Sequence, residues 1–311
     1  MILVIGLNPA VDAEWRVDHI QWDEKNNVLH ERRWPGGKPV NVARWLQHLR
    51  QSNELLMPLG GGTGREMAAD IHALGIKLIR VPIQESTRVN VMVTQSDGPQ
   101  LRFNPLGPKL SREEWTRLFA AVQKANRKSR LTIFSGSLPR AAAVGTYRRM
   151  IEEAHHAGVN SILDCDGRSL REGIKAKPFL VKPNRFELAQ WCGSELRSTK
   201  AIITAAKSLS DATGGWVLVS LDADGGMLLN ALEGFQAQAE VPFVKAKNTV
   251  GAGDAVLAMA ASCITAEKRP EDWLRHGMAA GCAFVQMPAG VLPSRSKIAQ
   301  FAKLVKVRNC G

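Results

Sequence analysis

The sequence predicts an α/β fold in which a mostly parallel sheet is covered by helices on both faces. Short apolar runs alternate with longer stretches of helical periodicity along most of the chain, as repeated βα units do. Runs such as Ile2 to Ile5 are apolar throughout, the pattern of a strand buried on both faces. With 311 residues and 45% hydrophobic content, the chain also has ample material for a buried core.

Taken in order, Ile2 to Ile5 reads as a strand, and Val40 to Leu49 as a helix with Val40, Ala43, Leu46 and Leu49 on one face. A strand at Leu55 to Leu59, a helix at Arg65 to Leu74 and a strand at Lys77 to Val81 follow. Further strands are expected at Leu131 to Ser135, Ser161 to Asp164, Phe179 to Lys182 and Trp216 to Ser220. Helices at Tyr147 to His156 and Thr199 to Ala212 separate them. Ligands are expected beyond the carboxyl ends of such strands.

Residues 12–35 and 87–105 break this rhythm. Both read as strand-like; the second alternates Val89, Val91 and Val93 with Asn90, Met92 and Thr94, and turns at Asp97-Gly98-Pro99. Neither has the pattern of a crossover helix, so together they are expected to form a small sheet over the site. Trp15, Trp22 and Trp34 give the first segment an apolar face, suited either to packing within the small sheet or to a dimer contact.

Charge and cysteine usage narrow the class. The net charge of +12, from 41 Lys and Arg against 29 Asp and Glu, invites a nucleic-acid reading. The basic residues are dispersed, however, with only local clusters such as Arg127-Lys128-Ser129-Arg130, and no zinc-finger, RRM or bZIP spacing accompanies them. No nucleic-acid partner is expected; the positive field suits phosphorylated small molecules equally well. Cys165, Cys192, Cys263, Cys282 and Cys310 show no CxxC spacing and no paired framework. The opening residues lack a basic n-region, and no run of about 18 apolar residues occurs. A cytoplasmic protein without a membrane partner is the expectation.

The chemistry concentrates in Asn248-Thr249-Val250-Gly251-Ala252-Gly253-Asp254, which runs directly into an apolar helix from Ala255 to Ala261. Small residues free backbone N–H groups to wrap an anion at the helix mouth. A carboxylate beside a phosphate nest makes sense as the acceptor of a proton from an attacking hydroxyl, and it also makes sense as a simple N-cap. Asn8-Pro9-Ala10-Val11-Asp12 puts a second carboxylate after the first strand, and Gly36-Gly37-Lys38-Pro39-Val40-Asn41-Val42-Ala43 opens a helix suited to a polyol. Gly60-Gly61-Gly62-Thr63-Gly64 lacks the spacing of a dinucleotide fingerprint. In Leu180 to Leu188, Asn184 and Glu187 lie one helical turn apart, fit either to hold hydrated magnesium or to form a capping box. Ser220-Leu221-Asp222-Ala223-Asp224-Gly225-Gly226 makes a strand-end turn able to lie against nucleotide phosphates.

In this order, NPAVD (8–12), GGKPVNVA (36–43), STRVN (86–90), SGSLP (135–139), VKPNRFEL (181–188), VSLDADG (219–225) and NTVGAGD (248–254) resemble the PfkB, or ribokinase-like, carbohydrate kinases. The nearest branch is the phosphofructokinase and tagatose-6-phosphate kinase group. The resemblance implies a ribokinase-like three-layer fold, with residues 1–311 as one kinase domain and 12–35 and 87–105 as its β-sheet lid. It implies transfer of the γ-phosphoryl group of ATP to a hydroxyl of a ketohexose phosphate of the tagatose 6-phosphate or fructose 6-phosphate type. Asp254 would be the general base and the amides of Gly251, Ala252 and Gly253 the anion hole. Asp12, Gly36, Gly37, Lys38, Asn41, Asn90 and Ser137 would serve the sugar, and Arg88 the phosphate it already carries. Lys25 is placed to reach the transferred group. Lys182, Asn184, Ser220, Asp222, Gly225 and Gly253 would face the nucleotide, with Asn184 and Glu187 on Mg2+ through water. A K+ site near the anion hole and a homodimer formed through the lid complete the expectation.

Some residues depart from the family pattern. Asp222 stands where glycine is usual, Met92 replaces a common lysine, and Asn27 a frequent basic residue. Arg140-Ala141 follows SGSLP where a glycine is usual, and Met259 occupies a position usually small. These keep open a fructose 1-phosphate kinase, a kinase of a free sugar or nucleoside, and a sugar-phosphate or nucleotide sensor without catalysis.

Overall fold

A computed structural model describes the whole chain except residues 96, 97, 99, 289 and 311. The turn expected at Asp97-Gly98-Pro99 lies outside the described residues at Asp97 and Pro99. In chain order the strands and helices are β1 (Ile2–Ile5), β2 (Ala10–Val17), β3 (His30–Gly36), α1 (Lys38–His48), β4 (Asn53–Gly60), α2 (Gly61–Ala73), β5 (Lys77–Ile83), β6 (Arg88–Gln95), β7 (Leu101–Phe103) and α3 (Arg112–Asn126). There follow β8 (Leu131–Ser135), α4 (Thr146–His156), β9 (Asn160–Asp164), α5 (Gly167–Gly173), β10 (Leu180–Val181), α6 (Arg185–Cys192), α7 (Thr199–Thr213) and β11 (Trp216–Ser220). The last are β12 (Gly226–Asn230), β13 (Phe235–Glu240), α8 (Ala252–Thr265), α9 (Pro270–Val285), α10 (Arg295–Leu304) and β14 (Lys306–Asn309).

Among the described residues, ten strands form one sheet in the order β14-β13-β12-β11-β10-β9-β8-β1-β4-β5. The neighbours from β11 through β5 are parallel, and β12, β13 and β14 add an antiparallel edge. Strand alternation sorts the core into two layers. Ile2 and Val4 face Val40, Leu46, Leu257 and Leu274, on the side of α1, α2, α8, α9 and α10. Leu3 and Ile5 face Leu118, Ile151, Leu188 and Ile202, on the side of α3 to α7. The result is three layers, helix over sheet over helix.

The second sheet has the order β3-β2-β6-β7. Its central pair, β2 and β6, runs parallel and aligns Asp12 with Asn90, while β3 and β7 flank it antiparallel. Within the first strand-like segment only its two ends are strands; residues 18–29 form an exposed connection that turns between them. Helices α1 and α2 start earlier than periodicity places them, because the glycine-rich stretches before their apolar faces are already helical or capping.

Candidate active site

The strands of the large sheet deliver their last residues to one edge. β1 leads into Asn8, β8 ends at Ser135, β9 at Asp164, β10 precedes Lys182, and β11 ends at Ser220. β1 lies between β8 and β4, so chain connections leave it in opposite directions and open a crevice there.

Helix α8 faces this crevice. Gly251 caps it with φ 93°, a left-handed conformation that disfavours a Cβ, and lets the chain turn straight into the helix. In the first turn, the Ala252 amide donates to the Thr249 carbonyl at 3.2 Å. Of the three amides expected to line an anion hole, Ala252's is therefore engaged within the turn, whereas Gly253 sits where a helix has no backbone acceptor to offer. Asp254 is 5% exposed and its Oδ2 accepts from Asn41 Nδ2 at 2.8 Å. Burial, reinforced by the nearby charge of Asp164, pushes the Asp254 carboxyl up to about 7, against the pull of Lys38, Asn41 and Lys182. A carboxylate in that range accepts a proton at neutral pH and returns it readily.

Behind Asp254 runs a line of alternating charges. Lys182, almost fully buried, lies against the first turn of α8, close to Gly253, and reaches Asp164 Oδ1 at 3.3 Å. Asp164 also accepts from Ser135 Oγ at 3.1 Å and from Lys38 Nζ at 3.4 Å. Burial works against its charge, but the two ammonium groups prevail and lower its pKa. Lys38 also reaches Glu187 Oε1 at 3.1 Å. Burial disfavours its ammonium as well, yet Asp164, Glu187 and Asp254 hold its pKa above the ordinary lysine value.

Asn184 and Glu187 form a reciprocal capping box on α6: Asn184 Oδ1 accepts the Glu187 amide at 2.8 Å, and Glu187 Oε2 the Asn184 amide at 2.9 Å. Asn184 also bridges to Ser220 across the sheet. Asp222 lies exposed at the start of a short 3-10 turn with φ 53°, the left-handed region. That angle suits the glycine expected at this place.

The sugar side comes from the second sheet. Asp12 Oδ1 accepts from Asn90 Nδ2 at 2.8 Å across the parallel pair. Burial raises the Asp12 pKa, opposed by Asn90, Arg88 and Arg102. A side chain at Gly36 would put its Cβ 2.0 Å from Asp12 Oδ2, so glycine is required where β3 meets α1. Arg88 donates from Nη1 to the Pro105 carbonyl at 2.7 Å and from Nη2 to the Asn8 carbonyl at 3.1 Å. Asn8 in turn donates to Ser137 Oγ at 3.1 Å.

Most of the expected site residues thus converge. Lys25 does not: it sits on the exposed connection beyond Val17 and His30. From the Ala10–Gly36 pair the hairpin runs outward for roughly 20 Å at the usual strand rise. Asn27 shares that connection, and Met259 lies buried in α8. Met92 sits mid-sheet between Glu14 and Arg102. Sequence reasoning missed Asp164, the hub of the charge line, and Arg102, whose charge acts on Asp12. The only trace of Asp164 in sequence is an acidic residue at the end of an apolar strand.

Residues 1–296 match the pfkB family carbohydrate kinase description. The chain belongs to the pfkB family of carbohydrate kinases. As a pfkB kinase it is 33% identical over 266 residues to 1-phosphofructokinase of Haemophilus influenzae, covering 83% of this chain and 82% of the relative. It is 29% identical over 286 residues to tagatose-6-phosphate kinase of Staphylococcus epidermidis, with 90% and 91% of the two chains covered. The crystal structure of phosphofructokinase-2 from Escherichia coli in complex with potassium matches this pfkB kinase with a TM-score of 0.90 at 27% identity. It covers 97% of this chain and 98% of that one.

Proposed function

We propose that the chain transfers the γ-phosphoryl group of ATP to a hydroxyl of a ketohexose phosphate, with Asp254 as general base. One observation carries this reading: a buried carboxylate at the mouth of α8, raised to about 7 and steadied by Asn41, beside Gly253 in the helix's first turn. On this reading the acceptor sugar lies between Asp12 and Gly37 on one side and the hydrogen-bonded pair of Asn41 and Asp254 on the other. Gly225 and the Ser220 end of β11 border the nucleotide, and Lys182 neutralises charge on the transferring group.

Glu187, fixed by its reciprocal capping box with Asn184, offers a hard oxygen donor of the kind Mg2+ takes. That donor fits an ion held by one or two carboxylates, water and nucleotide phosphates. Bound there, Mg2+ would supply charge neutralisation, with Asn184 and Glu187 holding it through water. The potassium in the Escherichia coli relative supports keeping K+ in this reading.

We read residues 1–311 as one kinase domain in which the second sheet acts as a lid. Exposed Trp22, Leu29 and Phe103 on that sheet and its connection support a homodimer formed through it. The acceptor is read as tagatose 6-phosphate or fructose 6-phosphate. A relative named 1-phosphofructokinase supports a second reading, fructose 1-phosphate. A coupled assay of ADP formation over the three sugar phosphates and the free sugars decides between them. The highest kcat/KM on a free sugar would sink both readings.

A further inference from the structure

A cavity of about 390 Å³ opens beside Arg88, lined by Glu85, Ser86, Arg88, Pro105, Gly107 and Arg140 among others. Arg88 is heavily committed there. Each of its terminal nitrogens donates to a backbone carbonyl, and its Nε is buried without a partner. Arg140 is committed far less. Only its Nη2 is engaged, donating to Glu85 Oε1 at 3.1 Å and Oε2 at 3.0 Å. Among the described residues, nothing accepts from its Nε or Nη1.

The backbone holds Arg140 at this cavity. It occupies a corner of the turn that the Ala142 amide closes onto the Pro139 carbonyl at 3.2 Å. Ala141, the other corner residue, has φ 59°, a conformation costly for a residue with a Cβ. Glu85 is fixed from the opposite side by the Lys109 amide at 2.9 Å, and that bond, with the Arg140 charge, lowers its pKa.

We infer that Arg140 is a specificity-determining residue: it joins Arg88 in binding the phosphate that the acceptor sugar already carries, and Glu85 is the internal anion that this phosphate replaces. The inference rests on the reading of the acceptor as a sugar phosphate. An exposed carboxylate–guanidinium pair is weak and exchanges readily. A phosphate monoester brings nearly two negative charges and three acceptor oxygens, so it outcompetes one carboxylate for a planar fork. A free sugar offers no charge to exchange and leaves the Glu85–Arg140 pair closed. The cavity therefore rewards phosphorylated acceptors and turns away neutral ones.

Steady-state kinetics on wild type, Arg140→Gln, Arg140→Lys and Glu85→Gln test this, with the preferred sugar phosphate, its free sugar and inorganic phosphate as inhibitor. In Arg140→Gln the ratio of kcat/KM for sugar phosphate over free sugar is expected to fall about tenfold, carried by KM. Arg140→Lys should restore part of it, and Glu85→Gln should tighten inhibition by inorganic phosphate. If wild type shows no preference for the phosphorylated sugar, the proposed function fails and this inference with it. If wild type has the preference and Arg140→Gln keeps the ratio within about twofold, the inference alone is overturned.

Discussion

Asn41 donates to Asp254 at 2.8 Å, joining the first turn of α1 to the first turn of α8 across 213 positions of sequence. This bond aims the carboxylate and favours its charged form, in a place where burial and Asp164 favour the neutral one.

With Asp254 raised to about 7, kcat/KM should climb as pH rises toward that value and level above it. Asp254→Asn should lower kcat by about 10²- to 10⁴-fold at pH 8 with sugar binding largely kept. Stability has the opposite slope. A carboxyl raised from 3.8 to about 7 binds a proton in the folded chain that the unfolded chain has released. Its contribution is complete below the unfolded value and is lost as pH rises through about 7. Urea unfolding of wild type and Asp254→Asn from pH 4 to 8 measures this, and parallel curves would contradict it.

Asn41→Ala removes a donor that favours the carboxylate, so the midpoint of the pH–rate profile should move upward. A hydrogen bond to a charged group is worth about 1.5–3 kcal/mol, which sets the scale of the loss in kcat/KM at neutral pH. A midpoint that stays in place would mean that Asn41 does not govern the ionisation of Asp254.

Asp164→Asn should act in the other direction on the same profile, because the Asp164 charge helps raise Asp254. The substitution also leaves Lys182 buried without its carboxylate, a change that costs about 3–5 kcal/mol when a buried pair is broken. The expected variant is less stable in urea and has a lower pH midpoint. Unchanged stability would show that Lys182 finds another partner.

Ala141→Gly should stabilise the chain by about 0.5–1 kcal/mol, since left-handed backbone costs an L-residue about 1–2 kcal/mol and glycine returns part of that as unfolded-state entropy. Asp222→Gly should gain less, because aspartate tolerates this region better than alanine. Denaturant midpoints compare the two directly; a loss of stability at Ala141→Gly would contradict the strain reading.

The inner strands were legible because burial on both faces leaves apolar runs bounded by turns, as in Ile2–Ile5 and Trp216–Ser220. The antiparallel edge was not. Phe235–Glu240 buries only Ala237 and Ala239 fully, so its alternation is too faint to read as a strand. Asn184 and Glu187 were visible, but one spacing serves both a capping box and a metal ligand, and the hydrogen bonds now display the capping box. Asp164 carries no motif; its meaning comes from Lys38 and Lys182, which only the sheet brings within reach. Arg140 was legible as an oddity after SGSLP, while its partner Glu85 lies 55 positions away.

The parallel pairing of β2 with β6 ties Asp12, Asn90 and Arg88 into one hydrogen-bonded seam, whereas Asp164, Lys182 and Asp254 are seated on the large sheet and α8. Asp12, Asn90 and Arg88, read as gripping the acceptor, therefore ride on one frame and Asp254, read as deprotonating it, on another with Asn41, and the two meet where Gly36 passes into α1. Tilting one frame against the other changes the gap between hydroxyl and base while leaving each set of grips undisturbed. On the proposed function, substitutions far from the crevice that stiffen that joint are expected to register as losses in kcat, read by steady-state kinetics.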